Sequence, residues 1–221
     1  MTVVVAALTV LLLWQYARRR APYQLAWSVA LLTGALAGVF YLLTVAAGGS
    51  ATLFRLYYIC GALLIAPLLG LGSMVLLARR ALTVVYAALL LVGGVLGIVG
   101  IALAPLAPGA LSQLAGQPGS AAISSPLALV PIIVLNTLGT IAVVAVALVS
   151  LVRALRRGAA GRLVLGNVGV AVGTLVIASA GSMARLGSGA GFWLTMLVGW
   201  VILFAGVLGL SGARRADHQP A

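Results

Sequence analysis

The sequence predicts an all-α fold: a polytopic transmembrane bundle of seven helices, with its N-terminus outside and its C-terminus cytoplasmic. Three observations predict it. Of the 221 residues, 64% are apolar and 6% charged, where a soluble domain carries roughly a quarter charged residues. A sphere of this volume cannot enclose so much apolar side chain, so lipid must solvate most of the surface. The apolar residues fall into runs close to the roughly 20 residues that cross a bilayer as helix. Arginine marks the breaks between runs, and it does so almost wholly at alternate breaks.

Taken in order, the predicted spans are 2–16, 24–47, 53–77, 81–106, 127–152, 163–183 and 190–210, forming one domain over 1–221 with a short tail at 211–221. Fifteen residues make the first span the shortest, rising only about 22 Å. It reads as an uncleaved anchor, because a signal peptide places positive charge before its apolar run, and here Arg18, Arg19 and Arg20 follow it. The third span carries Pro67 and the fifth Pro131, which free the carbonyls of Leu63 and Leu127 and predict kinks. Glycines spaced four apart, Gly34 and Gly38, Gly93 and Gly97, Gly169 and Gly173, give the second, fourth and sixth spans a small-residue face suited to a tight interior or a dimer seam. Residues 107–126, uncharged and rich in Pro and Gly, read as a turn-rich connector.

Alternating the loops puts Arg18, Arg19, Arg20, Arg79, Arg80, Arg153, Arg156, Arg157, Arg162, Arg214 and Arg215 on one side, and only Arg55 and Arg185 on the other. Short-loop arginine concentrates in the cytoplasm, which orients the chain. The formal net charge of +12 thereby becomes a basic cytoplasmic face for anionic lipid headgroups. No nucleic-acid partner is expected.

The scarcity of other charges excludes most chemistry. Lys and Glu are missing, Asp217 is the one acid and His218 the one histidine, adjacent in the tail. Zincin motifs, a P-loop lysine, paired carboxylates and a retinal Schiff base all need residues this chain lacks. Cys60 is alone, which excludes a thiolate cluster, and it reads as a buried structural thiol. Intramembrane proton relays are usually carboxylates or histidines, and the predicted spans hold neither. No catalytic residue, metal or cofactor is expected, and proton coupling is not either.

Hydroxyls within the spans, such as Thr33, Ser73, Thr174 and Ser179, are expected to bond back to the preceding helical turn or to a neighbouring helix. Asn136 and Thr140, one turn apart near the bilayer centre, form a polar stripe with two open readings: glue between helices, or the lining of a cavity. Asn167 lies about 8 Å from the inner end of its span and could reach headgroup depth. At the outer end Arg55, Tyr57 and Tyr58 cluster, within reach of Tyr41, Arg185 and Trp193. An interfacial aromatic belt is one reading of this group, and an outward-facing pocket for an anionic or aromatic ligand is the other.

The stretches Arg20-Ala21-Pro22-Tyr23-Gln24-Leu25-Ala26-Trp27 and Leu53-Phe54-Arg55-Leu56-Tyr57-Tyr58 resemble a pattern in an uncharacterised family of bacterial seven-helix integral membrane proteins. The resemblance covers roughly the first 80 residues and implies a multi-pass protein of the bacterial plasma membrane, with no function to carry over. From the residues alone, the expected function is non-enzymatic: a sensor or accessory subunit that binds a hydrophobic ligand or a partner helix, as a homo-oligomer or beside another membrane protein. The alternative is a facilitator of a small neutral solute, built three-plus-one-plus-three and not proton-coupled.

Overall fold

Each apolar run forms a helix, because in lipid only internally bonded backbone is tolerated. A computed structural model describes residues 2–77, 79–158, 161–185 and 189–216, apart from the side chains of 19, 185, 189–190 and 211–216. The helices are α1 (Thr2–Arg19), α2 (Pro22–Ala46), α3 (Ala51–Leu77), α4 (Arg80–Leu103), α5 (Pro126–Arg156), α6 (Gly161–Arg185) and α7 (Gly189–Ala216). Among the described residues there is no strand, only an isolated bridge between Leu106 and Ile123. Helices α2 to α7 are each long and apolar enough to cross a membrane, and α1 is a shorter apolar helix. This all-helical, multi-pass form agrees with the expectation.

Several boundaries move for identifiable reasons. Helix α4 stops at Leu103 rather than near 106, because Pro105 pushes Ala104 into an extended conformation (φ −60°, ψ 131°). Helix α1 continues to Arg19, so its 18 residues rise about 27 Å rather than about 22 Å. Helix α7 continues to Ala216, so the first six residues expected in the tail are helical. Asp217 and His218 lie outside the described residues. Pro131 is accommodated within α5, which stays α-helical through it. In α3, by contrast, a π-helical segment, Ile59–Leu64, lies just upstream of Pro67 and contains Leu63, whose carbonyl that proline frees.

Two packed regions hold the bundle together. One joins Val5, Leu8 and Leu12 of α1 to Leu31, Val143, Val170, Trp200, Leu203 and Val207. Spaced three and four apart, the three α1 residues form a stripe that buries this short helix against its neighbours. The other region collects Phe54, Tyr57, Tyr58, Leu63, Ile101, Leu114, Ile123 and Ile132 toward the opposite end. Helix α4 is the most peripheral in character: Val84, Leu91, Val92 and Leu103 are all exposed, an outward apolar surface matched to lipid tails.

The glycine pairs do bring helices together, in different ways. A Cβ on Gly173 would stand 2.6 Å from the Leu203 backbone nitrogen, and one on Gly206 would stand 2.7 Å from that of Val170. Helices α6 and α7 therefore meet backbone to backbone, through Gly166, Gly169 and Gly173 on one side and Gly199 and Gly206 on the other. Gly34 and Gly97 instead receive side chains, of Val5 and Ile65 and of Leu63 respectively.

Candidate functional site

The chain's alternation places two different constructions at the two ends of the bundle. At the end away from most of the arginines the predicted aromatic group assembles, and residues 104–125 fold over it. Tyr41 and Tyr57 meet edge to face at 5.3 Å, Tyr41 and Trp193 are tilted against each other at 4.8 Å, and Phe54 joins Tyr58 at 5.4 Å. The polar atoms of Tyr41, Tyr57 and Trp193 are taken by the loop backbone. Tyr41 donates to the Leu114 carbonyl and accepts from the Gly116 amide, Tyr57 donates to Pro118, and Trp193 donates to Gly116, each at 3.0 Å. Arg55 donates through Nη2 to the Ala104 carbonyl at 3.1 Å, while its buried Nε has no partner. Ser120 ties the loop to the Ala184 carbonyl at 2.6 Å.

Tyr41, Arg55, Tyr57, Tyr58 and Trp193 are thus brought together, whereas the side chain of Arg185 lies outside the described residues. The connector is more ordered than turn chemistry suggests. Leu114, Ala122 and Ile123 are buried and anchor it on the aromatic cluster, which makes it a cap.

Midway along the bundle, Asn136 donates through Nδ2 to the Ala62 carbonyl at 2.6 Å and to the Ile132 carbonyl at 2.7 Å. Ala62 lies in the π segment, where the widened turn frees carbonyls for an outside donor. Asn136 therefore ties α5 to α3, the first of the two readings open for it. Thr140 is half-buried one turn further on. Tyr86 performs a similar task beside Pro67, donating to its carbonyl at 3.0 Å, and Trp27 ties α2 to α3 through the Leu69 carbonyl at 3.0 Å. Thr33, Ser73, Thr174 and Ser179 bond back to their own helices.

The arginine-bearing end holds a partly open cavity of about 270 Å³, to which every helix except α4 contributes. Its polar lining is Gln15, Tyr23, Gln24, Ser150, Arg153, Arg157 and Asn167, and its apolar lining includes Leu12, Trp27, Leu76 and Val207. Gln24 is 2% exposed. Its Nε2 reaches Gln15 Oε1 at 3.2 Å, and its own Oε1 has no hydrogen-bond partner. Asn167 donates back to the Leu163 carbonyl at 2.8 Å. Beyond Leu12, Trp27 and Val207 the lining continues as an apolar slot of about 20 Å³, room for about one water.

Sequence reasoning placed Asn167 at this depth but overlooked Gln15, Gln24, Arg153 and Arg157 as one site. A signal existed: Ser150, Arg153 and Arg157 recur at three and four, so they share one face of α5. Among the described residues no group of three or more His, Cys, Asp or Glu could hold a metal ion. No protein-family model matches this chain, and no curated protein or solved structure does either.

Proposed function

We propose that the protein is a non-enzymatic component of the bacterial plasma membrane, a sensor or accessory subunit that binds an amphipathic ligand at its cytoplasmic, arginine-rich end. In this reading all seven helices cross the bilayer, with the N-terminus outside. The buried stripe Val5, Leu8 and Leu12 supports counting α1, since it seats that helix within the bundle rather than along its surface. Eleven arginines on one side against two on the other support the orientation.

One observation carries the functional reading: a partly open cavity of about 270 Å³ lies at the arginine-bearing end and shares Leu12, Trp27 and Val207 with an apolar slot. The opposite end of the bundle is covered by a loop hydrogen-bonded to Tyr41, Tyr57 and Trp193. A largely apolar pocket with a polar rim at one end of the bundle, opposite a hydrogen-bonded loop at the other, suits holding a ligand better than passing one.

Solute flux tests this directly. Purified protein in liposomes, challenged with a downhill gradient of glycerol or urea, should swell no faster than protein-free liposomes. Accelerated swelling would replace the binding reading with the facilitator.

A further inference from the structure

Resting on that ligand-binding reading, we propose that the cavity seats the headgroup of an anionic glycerophospholipid carrying free hydroxyls, of the phosphatidylglycerol type, with the start of one acyl chain directed at the apolar slot. Three features of the lining select this chemistry. The first is unneutralised positive charge. Arg153 and Arg157 both line the cavity and both remain exposed at its mouth, and the described residues include no carboxylate side chain to pair with them. Guanidinium groups keep their charge at any physiological pH and match phosphate oxygens in fork geometry.

The second feature is the unpartnered Oε1 of Gln24, an acceptor buried to 2% exposure on the cavity wall. An amide oxygen withdrawn from water needs a donor. The oxygen has almost no accessible surface as it stands, so a headgroup hydroxyl supplies the donor once rotation of the Gln24 amide turns it toward the cavity. Choline has no donor. An ethanolamine ammonium has donors but would bring its positive charge beside two guanidinium groups.

Depth and size complete the case. Leu12, Trp27 and Val207 line both the cavity and the slot, so an apolar path leads inward from the polar mouth. A volume of about 270 Å³ falls just below the roughly 300–1,000 Å³ of pockets that enclose a drug-sized ligand. It accommodates a headgroup and the beginning of one chain rather than a whole two-chain lipid. A polyol phosphate from the aqueous phase shares the head chemistry but leaves the apolar wall unused.

The test uses the full-length protein, delipidated in detergent, with binding read by thermal shift and by titration. Probes are phosphatidylglycerol, phosphatidylcholine, oleate and soluble glycerol 3-phosphate. Phosphatidylglycerol should raise the melting temperature and bind at least about tenfold more tightly than the other three. The double variant Arg153→Gln, Arg157→Gln changes exposed side chains, so it should melt like the parent without lipid yet bind phosphatidylglycerol about tenfold more weakly or worse. Arg79→Gln with Arg80→Gln, at the same end but outside the cavity lining, should leave binding unchanged.

Equal loss in the Arg79, Arg80 variant would reduce the effect to general surface charge and overturn the proposal. Glycerol 3-phosphate binding as tightly as the lipid would overturn the lipid assignment. Equally tight phosphatidylcholine or oleate, weakened by Gln24→Leu, would overturn the anionic hydroxyl class while leaving a ligand site in the cavity. Binding of none of the four would overturn the lipid proposal, while the flux measurement separately decides whether the protein is a binder or a conduit.

Discussion

Gln24 and Asn136 are two amides inside an apolar bundle with opposite circumstances. Asn136 is committed twice, to the carbonyls of Ala62 and Ile132. Replacing it by Leu strands the Ala62 carbonyl on the π segment, and interhelical hydrogen bonds in membrane bundles contribute about 0.6 kcal/mol on average and up to about 1.7 kcal/mol. Asn136→Leu should therefore lower thermal stability by an amount in that range without changing ligand binding; loss of binding at unchanged stability would move Asn136 to the cavity-lining reading. Gln24 has one unsatisfied atom, and an orphaned polar group costs about 1–3 kcal/mol. Gln24→Leu removes that orphan along with the contact to Gln15, so the ligand-free variant should melt within a few degrees of the parent. A collapse in melting temperature would show the amide to be structural. Sequence reading singled out Asn136 because it stands mid-span, and overlooked Gln24 because a polar residue in a first helical turn looks like an ordinary boundary residue. Burial by neighbouring helices, invisible in one dimension, makes the difference.

The helices themselves were legible, since length and apolarity decide them, but their ends depend on local chemistry. Glycine spacing correctly marked α6 as a close-contact helix, yet the partner face on α7, Gly199 and Gly206, is spaced seven apart and was not recognised. Backbone contact gives that seam little room for a side chain. Gly206→Val should destabilise the protein by roughly 1–3 kcal/mol through overpacking, because the atoms it would meet are the backbone of Val170 and Gly166. Gly94→Ala, with nothing within 4 Å, should be neutral or slightly stabilising; equal loss at both positions would show that glycine matters here for the backbone and not for the seam. The α1–α2 turn offers a converse case. Arg20 adopts a left-handed conformation with φ 52°, which costs a non-glycine residue about 1–2 kcal/mol. Arg20→Gly should raise the melting temperature, and a fall would mean that the side chain contributes more than its backbone costs.

Across the whole molecule, amphipathic ends are built from residues far apart in the chain. The cap could not be read from 107–126 alone, because Leu114 and Ile123 gain meaning only against Tyr41, Tyr57 and Trp193. The cavity at the arginine-bearing end joins six helices, and its arginines looked like orientation signals before they looked like a site. Orientation itself is open to chemical labelling in a Cys60→Ala background: Gln113→Cys on the exposed loop should react with an impermeant thiol reagent in right-side-out vesicles, and Arg79→Cys should react only in inside-out vesicles. The central claim is a ligand cavity open from the arginine-bearing side alone, and Ser150, on the cavity wall, tests it most directly. With Ser150→Cys in the same background, the reagent should label inside-out vesicles and not right-side-out ones, and phosphatidylglycerol should slow the labelling. Reaction from the outer side, or at equal rates from both, would contradict a one-ended binding site.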